Sequence, residues 1–308
     1  MSSIPQSRSS IAPPRRPSPL LIAWGSVVLV VVVIVVLVVA RVTSGPGPSS
    51  STHQAVVVAS PTLVHEIASV PASVFDQVGV GIPSQFAGDA PIVISGQPPL
   101  SLDGRSPSVL YLGAEYCPYC AAQRWGMAVA LARFGSWRGL DTTASGLLDG
   151  DYSTLSFRRA TLVSSTVHFV PVETCTNVVD PNATGCAGYR PLRRPTEAEQ
   201  AVLATYAGPP FVPGRGGISF PFIDVDNKVL FSGSSYLPAV LTGLTQDQIA
   251  RGLTDPTNPV TRSIIGTANI ITAAVCAGTH GDPSAVCASA GVRAADAMLG
   301  QQASGGTR

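Results

Sequence analysis

Lysine is almost absent from this 308-residue chain: it occurs once, at Lys228, so nearly all of the positive charge is arginine. Charged residues make up only 12% and the formal net charge is +1, with no basic stripe and no acidic run. Nucleic-acid binding needs clustered positive charge, so nucleic acid is excluded as the main partner. Methionine is equally scarce, with only Met127 and Met298 beyond the first residue. The four histidines, His53, His65, His168 and His280, are scattered, with no pair at ligand spacing. Copper(I) carriage suits the soft thiolates of a CxxC pair, but the chain has no Met-rich or Met/His cluster to go with one. No metal and no other cofactor is expected. No repeat of roughly 20–50 residues is apparent, which excludes solenoids and propellers.

What the chain does have is apolar residues, 45% of the total, enough to bury a sizeable core. Leu20 to Ala40 is a run of 21 residues without a charge, mostly Val, Leu and Ile. At ~1.5 Å per residue such a helix spans about 30 Å, the thickness of a bilayer's hydrocarbon core. Arg8, Arg15 and Arg16 precede it and only Arg41 follows closely. The positive-inside rule then puts the N-terminus in the cytoplasm and everything after residue 41 outside. A cleaved signal peptide would have a shorter apolar region, about 7–15 residues, and a small-residue cleavage motif. Val38-Val39-Ala40 fits that poorly. The expected arrangement is a single-pass protein of the cell membrane, held in the lipid bilayer by residues 20–40.

Around the anchor, residues 1–19 read as a disordered cytoplasmic tail, 41–54 as a flexible linker, 55–300 as the extracytoplasmic domain and 301–308 as a disordered tail. Spaced apolar residues between Pro61 and Gly79 predict one or two short helices. Apolar runs at Pro91–Ser95, Ser108–Gly113, Thr154–Arg159 and Val167–Glu173 predict strands. Residues 118–134 predict a helix, with proline in its first turn and glycine after its end. A capping box opens another at Thr196. Ile218–Val225 and Lys228–Ser232, joined at Asp226-Asn227, predict a β-hairpin. Thr245–Leu253 and Val260–Ala277 read as helices. The alternation makes an α/β domain.

All six cysteines follow the span, as Cys117/Cys120, Cys175/Cys186 and Cys276/Cys287. On the oxidising side of a membrane an even count reads first as disulfides, and six cysteines allow about 15 pairings. The simplest is between nearest neighbours. It makes Cys175–Cys186 and Cys276–Cys287 structural staples and leaves the CxxC pair for other work.

A CxxC pair opening a helix has a specific use. The first cysteine meets the unpaired N–H groups and positive dipole end of the helix, which stabilise a thiolate. The second lies one turn on, on the same face. Cys117 can attack a disulfide and Cys120 can resolve the mixed disulfide that results. Pro118 fixes the helix start and Tyr119 borders the pair. The same spacing also serves zinc knuckles and plain structural disulfides.

The run from Tyr111 to Cys120 (YLGAEYCPYC) resembles the strand-to-helix active site of thioredoxin-like proteins. The run from Ile218 to Leu230 (ISFPFIDVDNKVL) resembles their second signature. Taken whole, residues 55–290 are similar to a family of membrane-anchored thioredoxin-like proteins of actinobacteria and archaea. The resemblance implies a thioredoxin-like fold with N-terminal, central and C-terminal additions, the central one an insertion at about 139–210. It implies that Pro221 is a cis-proline facing the CxxC, and that the backbone at Phe220 pairs with substrate near Cys117. Thioredoxins carry a buried acid six positions before the first cysteine. Here that position is Tyr111, which removes the usual proton acceptor for Cys120.

These features together predict a thiol–disulfide oxidoreductase acting on exported cysteine-containing proteins and recycled by a membrane redox partner. The alternative is a non-enzymatic binding or envelope-assembly module whose Cys117 and Cys120 form a permanent disulfide. Glu115 is expected on the solvated rim and Arg124 on the exposed helix face. Trp125, Met127 and Leu131 are expected in the core. So are Phe211, Phe220 and Phe222, with Phe220 able to touch substrate.

Overall fold

The computed structural model describes residues 55–81, 90–212 and 218–305. The tail 1–19, anchor 20–40 and linker 41–54 lie outside the described residues. After a two-residue strand at Val57–Val58 come helices α1 (Pro61–Ala68) and α2 (Ala72–Val78), then strands β1 (Ile92–Val93) and β2 (Ser108–Gly113) of the central sheet. Helix α3 (Pro118–Leu131), strand β3 (His168–Glu173), helix α4 (Glu197–Tyr206) and the hairpin β4 (Phe222–Val225) to β5 (Val229–Ser232) follow. Helices α5 (Gln246–Gly252), α6 (Pro259–Gly278) and α7 (Ala290–Gly305) complete the larger elements.

The central sheet has the order β1-β5-β4-β2-β3. Only β2 and β3 are parallel; the other neighbours are antiparallel. Side chains alternate across a strand, and that alternation sorts the two faces here. Val109, Tyr111, Phe169, Ile223 and Val225 join the main core with α3 and α6. Leu110, Leu112, Val170, Val172 and Phe222 join a second core with Leu203 and Tyr206 of α4. The domain is therefore α/β with a mixed sheet covered on both faces.

Helices α3 and α6 lie close together on the first face. A Cβ on Gly126 would stand 2.4 Å from the Thr267 Cγ2, so only glycine permits this approach. By length and composition α6 could cross a membrane, with mean hydropathy 1.4, but 78% of its apolar window is buried inside the domain. It is the core helix on which α3 rests.

Two expectations change. The stretch 139–210 is not all insertion, because β3 lies within it and pairs in parallel with β2 over its whole length. A parallel neighbour needs a long crossover, and the small strand pairs at Asp141–Ala144 with Ser153–Ser156, and Ser136–Arg138 with Thr161–Val163, occupy it. At the C-terminus, residues 301–305 continue α7 where a disordered tail was expected. Gln301, Gln302 and Ala303 are good helix formers. Among the described residues the disulfides are Cys175–Cys186 and Cys276–Cys287.

Candidate functional site

Strand β2 ends at Gly113 and the chain turns through Ala114, Glu115 and Tyr116 into α3. Cys117 is the N-cap, with extended backbone (φ −70°, ψ 123°), and Pro118 takes the first helical position. The Cys117 Sγ accepts the backbone N–H of Cys120 at 3.3 Å, so it fills the place of a capping oxygen. Both cysteines are free thiols; Cys117 keeps 5% of its surface and Cys120 none.

The two sulfurs are driven apart in acidity. The Cys120 thiol hydrogen bond holds the Cys117 thiol below its ordinary value against burial, helped by the Cys120 N–H, Arg124 and the Tyr119 N–H. Burial pushes Cys120 well up, and the neighbouring Cys117 pushes the same way. An acidic outer thiol and a proton-holding inner one are what an attacking and a resolving cysteine need.

Across from them the Phe220 carbonyl lies 3.8 Å from the Cys117 Sγ, and the Phe220–Pro221 bond is cis. Phe222 is fully buried while Phe220 and Phe211 are only partly so. Tyr119 is 40% exposed and lines a groove of about 370 Å³ with Pro118, Asp149, Tyr152, Leu237 and Pro238. Leu237, 51% exposed, adds apolar surface to this groove.

Residues 94–185 match a family described as a domain of unknown function (DUF929). No curated protein and no solved structure matches the chain. The matched stretch holds β2, the dithiol, β3 and Cys175, so the likeness to that family covers the site's floor.

That floor corrects two expectations. Arg124 is fully buried, not an exposed helix arginine. Its Nε and Nη2 donate to the two carboxylate oxygens of Glu173 at 2.8 and 2.9 Å, and Nη2 also donates to the Ala114 carbonyl at 2.7 Å. Glu115 is fully buried too, not on the rim, and its Oε1 accepts the Ser156 hydroxyl at 2.7 Å. Burial raises the Glu115 carboxyl above the usual carboxylate range, reinforced by Glu173 and opposed by the Ser156 bond and Arg124. Trp125, Met127 and Leu131 are buried in the core as expected.

Sequence reasoning missed Glu173. The departure at Tyr111 hid it, because the buried acid comes from the neighbouring strand. Gly113 pairs with Glu173 in the parallel register, and alternation turns Glu173 to the α3 side with Phe169. Tyr111, packed edge-on to Phe157, carries a buried hydroxyl with no hydrogen-bond partner. A usable signal was present in α3: Cys120 to Leu131 is all apolar or small except Gln123 and Arg124. A helix with no polar face buries its one charge, and a buried charge needs a partner. Among the described residues no group of three or more His, Cys, Asp or Glu could hold a metal ion.

Proposed function

We propose that this chain is a membrane-anchored, extracytoplasmic thiol–disulfide oxidoreductase with a thioredoxin-like fold, working on exported cysteine-containing proteins. The observation that carries the reading is the Cys117 sulfur itself: an N-capping group, minimally exposed, and facing the Phe220 carbonyl ahead of cis-Pro221. The sheet order β5-β4-β2-β3, with β2 feeding the CxxC helix and the Phe220–Pro221 segment feeding β4, supports the fold. The apolar run 20–40 supports the anchor, with its arginines on the cytoplasmic side.

In the forward half-reaction the Cys117 thiolate attacks a substrate disulfide, and one substrate sulfur leaves with the bond's electron pair. Cys120 then loses its proton and attacks the Cys117 sulfur of the mixed disulfide, releasing the second substrate sulfur as a thiol. Cys117 and Cys120 are oxidised to a disulfide, and the substrate is reduced to a dithiol. The reverse sequence inserts a disulfide into an exported protein. In either direction the buried Arg124–Glu173 pair stands in for the strand acid that Tyr111 replaces. It lies within electrostatic reach of Cys120, with Arg124 favouring the thiolate and Glu173 the thiol. Tyr119 and the groove beside it receive the apolar residues next to the substrate cysteine, and the Phe220 backbone pairs with the substrate strand. A membrane redox partner resets the dithiol.

The test is a trapping experiment on the full-length chain. Cys120→Ser should accumulate mixed disulfides through Cys117 with a cysteine-containing peptide disulfide, and wild type should turn the same peptide over. No adduct and no turnover would reject the reading.

A further inference from the structure

The two disulfides have the same sequence separation, but they do not have the same neighbours. Cys276 belongs to the main helical core and Cys287 packs against that core. Cys175 instead belongs to a small separate cluster whose other buried members are Ala114, Cys117 and Cys120. Cys186 and Phe220 pack against the same cluster. The backbone ties the two segments together, since the Glu115 N–H donates to the Cys175 carbonyl at 2.9 Å. A disulfide and a dithiol therefore share one packed cluster.

The far side of that disulfide is open. Cys186 is half-buried and lines a groove of about 340 Å³ with Thr174, Arg193 and Arg194. Arg193 is paired with Glu199 at 2.7 Å, and Arg194 adds a second positive charge to the groove, which favours a sulfur leaving as a thiolate. Chain direction explains the placement: β3 runs parallel to β2, so its end delivers Cys175 to the edge of the sheet where β2 delivers Cys117.

We propose that Cys175–Cys186 is a second redox centre that exchanges electrons with Cys117/Cys120 inside the domain; this rests on the exchange chemistry proposed for Cys117. The Cys117 thiolate attacks Cys175, the Cys175–Cys186 bond breaks, and Cys186 leaves with the electron pair. Cys120 gives up its proton and attacks Cys117, freeing Cys175. One disulfide, Cys117–Cys120, forms as the other opens, and the two protons end on Cys175 and Cys186. The arrangement gives the domain two faces for electron traffic, the Tyr119 groove at Cys117 and the Arg193–Arg194 groove at Cys186. A redox partner on the second face need not compete with substrate on the first.

The experiment uses the fully oxidised full-length chain, limiting dithiothreitol, timed quenching with N-ethylmaleimide and peptide mapping of the labelled cysteines. In wild type, label at Cys117 and Cys120 should be followed by label at Cys175 and Cys186, with Cys276 and Cys287 unlabelled throughout. In Cys117→Ser, labelling of Cys175 and Cys186 should slow by about tenfold or more, because direct attack replaces the relay. The proposal is overturned if wild type labels Cys117 and Cys120 while Cys175–Cys186 stays closed, or if Cys117→Ser labels that pair as fast as wild type. The Cys175→Ala/Cys186→Ala double variant separates the two claims: retained peptide exchange at Cys117, alongside a closed pair in wild type, removes the relay and leaves the oxidoreductase standing.

Discussion

Cys175–Cys186 and Cys276–Cys287 are matched in spacing. Each spans a sequence separation of 11 with a Cα–Cα distance of 5.7 Å. Their surroundings are opposite. The first lies beside two thiols, over a buried floor of Arg124, Glu173 and Glu115, and next to a basic groove. The second closes the end of a core helix among alkyl groups, near Gly278, where a Cβ would stand 2.8 Å from the Asp226 carboxylate. Loop length governs what a disulfide does to the unfolded chain, and neighbours govern what it can react with. Two bridges of equal spacing can differ wholly in chemistry.

The comparison can be tested first at the floor. Arg124→Gln leaves the Glu173 carboxylate buried without its cation, which should cost about 3–5 kcal/mol in denaturant unfolding. It should also raise the Cys117 pKa by removing a nearby positive charge, seen in the ultraviolet absorbance of the thiolate. A loss near zero would mean that the pair is not the support described. Next, the Cys175→Ala/Cys186→Ala and Cys276→Ala/Cys287→Ala variants should each lose about 2–4 kcal/mol, and by similar amounts, because the loops are equal. Only the first should alter the thiol-labelling pattern of the remaining cysteines. If both alter it, the two bridges do not differ in the way their neighbours imply.

A third test concerns the hairpin turn near the second bridge. Asp224 is fully buried, accepts the Asn227 N–H at 2.8 Å and has its pKa pushed up to about 7, chiefly by burial. Its protonated form is favoured by folding. The stability it contributes is present below the ordinary carboxylate value of about 3.9 and is lost as pH rises through about 7. Asp224→Asn should therefore gain on wild type as pH rises across that window, by about 1.4 kcal/mol for each unit by which the pKa is raised, in paired denaturation curves. A constant difference would remove the role of burial. The smallest effect is expected at Tyr111→Phe, which deletes an unpartnered buried hydroxyl and should change stability by about 0–1 kcal/mol in the stabilising direction. A large loss would reveal a hydrogen bond to that hydroxyl.

The junction of strand, CxxC and helix was legible in the sequence because its signals are local. An apolar run leads to proline just inside the helix, and alternating residues follow on either side of Asp226-Asn227. The partners of the buried charge were not legible, because Arg124, Glu173 and Glu115 come from separate segments and meet through the parallel register of β2 with β3. Nor could the spacing of the cysteines distinguish the two bridges. The anchor proposed for 20–40 lies outside the described residues and rests on length, hydropathy and flanking arginines.

The most direct measurement is the rate of alkylation of Cys117 and Cys120 against pH in the reduced full-length chain. Cys117 should react with a midpoint below the value of about 8.5 for a free cysteine, while Cys120 stays unlabelled across the same range. A Cys117 midpoint at or above that value, or equal labelling of both thiols, would contradict the assignment of Cys117 as the attacking sulfur.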